Sequence, residues 1–489
     1  MKKLNRSNFN YPEKPVRVLQ FGEGNFLRCF IDWQIDILNE KKGFDAGVVV
    51  VRPIDSDIPP LLNTQDGLYT SVLRGFDENG NFQDTKRTIS AVVREIPIYK
   101  QYHEFLELAG NPDLRFIVSN TTEAGIAYDE ADRFDDQPPG TYPAKLTRFL
   151  FERYKAFDGA DNKGFILLPC ELIDYNGDKL KEIVLKYCKL WSLSAEFADW
   201  IETCNIFCST LVDRIVTGRP SDEYTEIQNE LGYEDNFIVT GEFFHLFVIQ
   251  GPDVVAQELM IEDSGLNIKI VDDLKPYKVR KVGILNGCHT SLVPVAFLSG
   301  LNLVKESIED DLLGRYLDKL VNEEIIPYLG LPVDYVKDFA DSVFDRFRNP
   351  YVKHQLISIS LNSMTKFKTR LLPQFLNYVD TNKKIPPMMA IALSALICFY
   401  RGERISNGNP ERYEMKDDAK ILELYKRLWK TAPTNIEEAE KIAGEVLSLE
   451  EHWGRKLSAI EGLTGVVAEN ILNICKDGMR AALTRRLND

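Results

Sequence analysis

The sequence predicts an α/β first half built on a mostly parallel sheet, followed by a mainly α-helical second half. Three observations predict it. Short apolar runs alternate with helix-spaced segments up to about residue 272. The first of these runs opens directly onto a Gly-x-Gly turn. Beyond the Lys275-Pro276 step, helical patterns take over. The boundary is therefore expected near residue 276, between domains at 1–276 and 277–489.

In chain order, Val16 to Phe21 is an apolar strand that ends at Gly22, and Phe26, Phe30, Trp33 and Ile37 then recur at helical spacing. Gly47 to Val51 reads as a strand buried on both faces. Arg115 to Asn120 and Gly164 to Pro169 read as further strands ending in polar loops, and Asp135 to Tyr142, with Pro138, Pro139 and Gly140, as a surface loop. Asn236 to Gln250 and Asn267 to Asp272 add strand-like material. Helices are expected over Asp311 to Leu329, Asp334 to Arg348, Pro387 to Tyr400, Asp417 to Lys430, Asn435 to Trp453 and Gly465 to Thr484.

With 489 residues and 44% hydrophobic content, the chain is long enough for more than one core. Its net charge of −15 argues against nucleic acid and anionic membrane as partners, and means that an anionic ligand needs a local basic pocket. The eight scattered cysteines read as reduced thiols of a cytoplasmic protein. The first residues lack the apolar core of a signal peptide, and the longest apolar run, Pro387 to Tyr400, is too short to span a bilayer and reads as a buried helix.

Four segments carry candidate chemistry. Phe21-Gly22-Glu23-Gly24-Asn25-Phe26, between a strand and a helix, suits a pyrophosphate: glycines admit the phosphates to backbone amides, and the helix N-terminus favours negative charge. Leu27 stands where a third glycine often sits, so the same segment also fits an ordinary βα turn. At the end of the next strand, Arg52 either meets a 2′-phosphate or stacks on adenine while Asp55, with Asp57 beyond, serves the ribose; a solvated arginine is the plainer reading. Asn120, Thr121 and Glu123 follow a buried strand, where side chains reach the nicotinamide side of a dinucleotide or cap a helix.

The fourth segment is Lys281-Val282-Gly283-Ile284-Leu285-Asn286-Gly287-Cys288-His289. On an α-helix Asn286 lies about 140° and His289 about 80° from Lys281, so all three share one side while the glycines pack on the other. A lysine with its pKa lowered by Lys278, Arg280 and burial can act as general acid or base; Asn286 can donate to an alkoxide and His289 can hold a hydroxyl. A surface lysine beside a core histidine is the plainer alternative. Two basic clusters, Arg346 to His354 and Lys366 to Arg370, either capture a carboxylate or form solvated faces.

Together these residues resemble the long-chain mannitol dehydrogenase family of polyol-specific oxidoreductases, over nearly the whole chain. The N-terminal Phe-Gly-x-Gly-Asn-Phe-x-Arg, the Lys-x4-Asn-Gly-x-His-Thr block, Arg346-Phe347-x-Asn349-Pro350, Cys170 to Gly177 and Val212-Asp213-Arg214-Ile215 carry the resemblance. It implies a Rossmann-type doubly wound N-terminal domain, a helical C-terminal domain and an active site between them. It implies metal-independent hydride transfer with NAD, Lys281 as general acid/base, Asn286 on the reacting oxygen and His289 on a substrate hydroxyl. Asp213, Arg346, Lys353 and His354 are the implied substrate residues, for a small sugar acid. Mannitol-type members have Cys-Asp-Asn where this chain has Cys170-Glu171-Leu172, so a second amide is missing unless Asn176 replaces it. A non-catalytic dinucleotide sensor is the rival from another class, and the choice of monomer or homodimer stays open.

Overall fold

The computed structural model describes residues 1–55, 61–77, 80–121, 124–406 and 408–488. They form two compact units, Met1–Leu274 and Lys275–Asp489.

The first unit is built on six parallel strands: β1 (Val16–Phe21), β2 (Gly47–Arg52), β3 (Val92–Pro97), β4 (Phe116–Ser119), β5 (Ile166–Pro169) and β6 (Ile206–Phe207). Their order is β3-β2-β1-β4-β5-β6, a doubly wound Rossmann arrangement that reverses direction between β1 and β4. Alternation sends Val18, Val48, Val50 and Val118 to one face, under α1 (Asn25–Lys42). Leu19, Phe21, Val49, Val51 and Ile117 go to the other, under α2 (Tyr142–Ala156) and α3 (Asn176–Leu190). Both faces are buried, which is why these strands read as unbroken apolar runs.

The strand-like stretch from Asn236 to Gln250 is two strands, Val239–Glu242 and Leu246–Gln250, each in a separate small sheet. Val239–Glu242 lies beside Tyr69–Phe76, which pairs with Phe82–Ile89 in an antiparallel hairpin that the periodicity did not disclose.

The second unit centres on two helices buried all round, α4 (Gly287–Leu298) and α7 (Pro387–Phe399), packed by α8 (Leu463–Asp477) and by α5 (Val333–Phe347) and α6 (Ser363–Arg370). An all-apolar helix needs partners on every side, and here it has them. Two expected helices are each divided: Gly478, at φ 84°, separates α8 from Met479–Asn488, and Ser448–Leu449 separates Ile436–Leu447 from Glu450–Trp453. Asp311 to Leu329 passes through a wide turn at Leu320–Ile325, which brings buried Glu324 under the start of α7. Its carboxylate accepts from the Met388 and Met389 amides, both at 2.7 Å, where Pro386 offers no capping side chain. Among the described residues no helix is long and apolar enough to cross a membrane, and all eight cysteines are free thiols.

Candidate active site

In the first unit, the turn after β1 stands at the point where the strand order reverses, the usual crevice of such sheets. Gly22 adopts φ 118°, and a Cβ there would lie 3.1 Å from the Asn120 carbonyl, so only glycine fits. Around Gly24 a Cβ would meet nothing within 4 Å. Gly24 begins α1, no side chain caps that helix and no acid lies in its first turn. Its first amides are thus free to face an anion.

The neighbouring candidates divide by what their side chains already do. Phe21 puts its ring into the core against Phe105 and Tyr142, so only its backbone belongs to the turn. Asn25 is exposed and accepts from Arg28 at 2.6 Å, while Phe26 stacks on Phe30. Arg52 is buried at the end of β2, ion-paired to Glu95 and 3.6 Å from Glu23. Glu95 also accepts from the Leu62 amide at 3.0 Å; burial raises its carboxyl pKa. Asp55 is exposed. Asp57 and Glu123 lie outside the described residues.

Asn120 donates to the Cys170 carbonyl at 3.2 Å. Thr121 gives both its amide and its hydroxyl to Glu171, each at 3.0 Å, and Ser119 donates to the other oxygen of the same carboxylate at 3.0 Å. Glu171 is buried, which raises its pKa against these donors. Glu171 thus ties the ends of β4 and β5 together. The Cys170-Glu171-Leu172 departure marked this place for a missing amide at Leu172, and the role of Glu171 went unread.

Asn176 corrects an expectation. It is fully buried; its amide donates to the Pro169 and Glu171 carbonyls at 2.9 and 3.0 Å, and its oxygen accepts from the Gly177 and Thr210 amides. Every polar position is taken, so it clamps β5 and α3 to the Ser209–Asp213 strand and has nothing left for a substrate. Leu172, two-thirds exposed, supplies no amide in its place. Asp213 ends that strand and is buried.

In the second unit, Lys281, Asn286 and His289 lie on one helical rod, but its middle is not α-helical. Lys275–Arg280 is α, Lys281–Asn286 forms a wide turn hydrogen-bonded five residues apart, and α4 continues from Gly287. The Gly287 amide reaches back to the Val282 carbonyl. Such a segment rotates less per residue, so Asn286 swings back toward the azimuth of Lys281 from the about 140° of an α-helical wheel. The glycines pack as expected: a Cβ on Gly283 would collide with Leu329, and one on Gly287 would lie 3.3 Å from Leu371. Arg280, beside Lys281, is held over the rings of Phe339 and Tyr335.

His289 is 6% exposed. Its ring stacks on Phe347 at 4.6 Å and meets the ring of His354 edge-on at 5.0 Å. Burial first, then the charges of His354, Arg370, Arg346 and Lys366, drive its pKa well below the ordinary imidazole value, so it is neutral at physiological pH. Its Nε2 and the Nδ1 of His354 are buried, with no hydrogen-bond partner among the described residues. Arg346 is buried in the last turn of α5, next to Phe347. Lys353 is exposed. Arg370 and Lys366, from the second basic cluster, act on His289. Arg370 donates to Thr290 Oγ1 at 3.3 Å, and that hydroxyl donates to the Asn286 carbonyl at 2.8 Å.

Comparison with known proteins agrees with this architecture. Residues 16–263 match the mannitol dehydrogenase Rossmann domain and residues 273–475 the mannitol dehydrogenase C-terminal domain. Altronate oxidoreductases of Yersinia enterocolitica serotype O:8 and Escherichia coli O6:K15:H31 are each 53% identical over 483 residues, 99% of this chain and 99% of theirs. Two solved structures share the fold at 20% identity. They are a Pseudomonas fluorescens mannitol 2-dehydrogenase complex with NAD and D-mannitol (TM-score 0.72, all of both chains) and a substrate-free D-sorbitol dehydrogenase (TM-score 0.79, 99% of this chain and all of the other).

Proposed function

The chain belongs to the mannitol dehydrogenase family, and on that premise we propose that it reversibly reduces D-tagaturonate to D-altronate with NADH, in hexuronate catabolism. The observation that carries the substrate is the 53% identity to altronate oxidoreductases along 99% of both chains. The open turn at Gly22 and Gly24 and the uncapped N-terminus of α1 fit a dinucleotide pyrophosphate. When bound, the dinucleotide supplies the hydride that reaches the ketone carbon.

The chain's own residues supply the proton and the orientation. Lys281 gives its ammonium proton to the oxygen that becomes the hydroxyl, and takes it back in the oxidative direction. Asn286 donates to that oxygen as negative charge builds on it. Neutral His289 offers Nε2 to a neighbouring substrate hydroxyl, which gives this orphaned buried atom its partner. Arg346 lies near enough to act on His289 and adds positive charge at the same place. Arg52, already paired with Glu95 and close to Glu23, has little charge left for a 2′-phosphate, which favours NADH over NADPH. Asn286 is then the amide on the reacting oxygen, without a second amide from Asn176.

The test is a panel of D-tagaturonate, D-fructuronate and D-fructose, each with NADH and NADPH, followed by the loss of reduced-nicotinamide absorbance. D-tagaturonate with NADH should give the highest kcat/KM. Faster turnover of D-fructuronate or D-fructose would reassign the substrate within the family. Dinucleotide binding without turnover of any member would support a sensor.

A further inference from the structure

The glycine turn stands on one side of the point where the strand order reverses, and the other side holds a buried carboxylate that the proton transfer does not use. We propose that Glu171 is a positioning residue of the nicotinamide half of the crevice, and that its fixed negative charge raises the affinity for the oxidised dinucleotide relative to the reduced one. The inference rests on the dinucleotide-dependent function proposed above and adds to it a residue that tells the two redox states apart.

The placement follows from the sheet. Strands β1, β2 and β3 form one half of the doubly wound order and β4, β5 and β6 the other. The glycine turn and the ribose-facing end of β2 put the adenosine in the first half, so the nicotinamide falls to the second. Glu171 stands two residues past the end of β5 and is 2% exposed. Ser119 and Thr121 bind it from the end of β4, the neighbouring strand. Between those two, the Asn120 amide donates to the Phe21 carbonyl at 3.1 Å, and the Asn120 carbonyl lies against Gly22. The carboxylate thus fixes the segment that joins the glycine turn to the nicotinamide half.

The charge is the second observation. Three donors converge on the two carboxylate oxygens: two hydroxyls and one backbone amide, all uncharged. Accepting at both oxygens suits the ionised form. These donors disperse the negative charge without cancelling it. Burial raises the pKa in spite of them, so the fold bears a cost to keep a carboxylate here. Ketone reduction moves a hydride from the nicotinamide ring to the carbonyl carbon, a proton goes to the carbonyl oxygen, and the ring is left with one positive charge. A carboxylate fixed in the same half of the crevice favours that cation and gains nothing from the neutral, reduced ring.

The experiment measures dissociation constants of NAD, NADH and ADP-ribose, without substrate, for the wild-type chain and for Glu171→Gln, Glu171→Asp and Leu172→Lys, with thermal melts to establish folding. The reading is the ratio of the NAD constant to the NADH constant. Glu171→Gln removes the charge at equal size, and the ratio should rise about threefold to thirtyfold, the reach of one charge in a partly screened site. ADP-ribose, which lacks the nicotinamide, should bind this variant within about twofold of wild type. Glu171→Asp keeps the charge but shortens the reach to Ser119 and Thr121, so both constants should rise together and the ratio should stay within about twofold of wild type. Leu172→Lys sets a cation beside Glu171 on a residue that is exposed, and the ratio should rise there too; it carries the test should Glu171→Gln not fold. An unchanged ratio in folded Glu171→Gln, or in Leu172→Lys where that variant carries the test, would overturn the inference while leaving the proposed function intact. So would an equal loss of all three ligands, the result of a purely structural role. A wild-type chain that binds neither NAD nor NADH would sink both.

Discussion

Lys281 is the amine whose loss should stop chemistry while sparing the cofactor. Lys281→Ala should lower kcat by about a hundredfold to ten-thousandfold, the range for a lost general acid, with NADH affinity within about twofold of wild type. Steady-state kinetics beside fluorescence titration would check it; near-normal turnover at neutral pH would remove Lys281 from the mechanism. A second expectation concerns Arg52. Glu23 stands 3.6 Å from its Nε, so Glu23→Gln should free part of its charge and shift selectivity toward NADPH several-fold, read as the ratio of kcat/KM for the two cofactors. No shift would mean that Glu95 alone fixes the arginine. Side-chain type was legible at these positions, but partners were not. Arg52 meets Glu95 across 43 residues of chain, and Asn176 meets Thr210 across 34. Nothing local distinguishes an arginine waiting for a phosphate from one already paired, or an amide facing substrate from one consumed by backbone.

The wide turn at Lys281–Asn286 governs the geometry of the proton-transfer set. An α-helical wheel places Lys281 and Asn286 far apart in azimuth, and the pattern of apolar residues gives no sign that the rotation slackens there. What the spacing did disclose was the glycine side. Gly283 packs so closely on Leu329 that a methyl group cannot enter without moving the rod, whereas Gly287 leaves 3.3 Å to Leu371. Gly283→Ala should therefore destabilise the second unit by about 1–3 kcal/mol, the usual cost of overpacking, and lower kcat by displacing Lys281 and Asn286. Gly287→Ala should do less of both. Thermal melts and kcat for the pair would check this order, and a reversal would mean that the turn is not held by this packing. The sheet was more legible than the turn. Strands buried on both faces announce themselves as apolar runs, while the Tyr69–Phe76 hairpin, whose partner strand Phe82–Ile89 is mostly half-buried and polar, does not.

At the scale of the whole molecule, each unit buries a carboxyl group that burial pushes up to about 7. Asp32, on α1 in the first unit, accepts from Tyr69 at 2.9 Å on one oxygen. Glu324, in the second, receives the first amides of α7. The division into a sheet unit and a helical unit was visible in the change of sequence period. These two acids were not, because their burial depends on what packs over them. A carboxyl whose folded pKa lies above its unfolded value stabilises fully below the unfolded value, near 3.8 for Asp32, and loses that contribution as pH rises through about 7. His289 and His245 carry the opposite sign, since burial lowers both: their contribution is present above about 6.5 and lost as pH falls. A pH profile of wild type alone therefore mixes the two. The difference between wild type and Asp32→Asn isolates the aspartate, because every histidine and Glu324 remain in both. Wild type should lose stability relative to Asp32→Asn between about pH 4 and about pH 7, and each 1 kcal/mol of that loss should appear as about 2–4 °C in the melting midpoint of a unit this size. The Asn amide keeps an acceptor for the Tyr69 hydroxyl, so the variant tests the proton and not the hydrogen bond. Parallel profiles for the two proteins would mean that Asp32 does not change its protonation in this range.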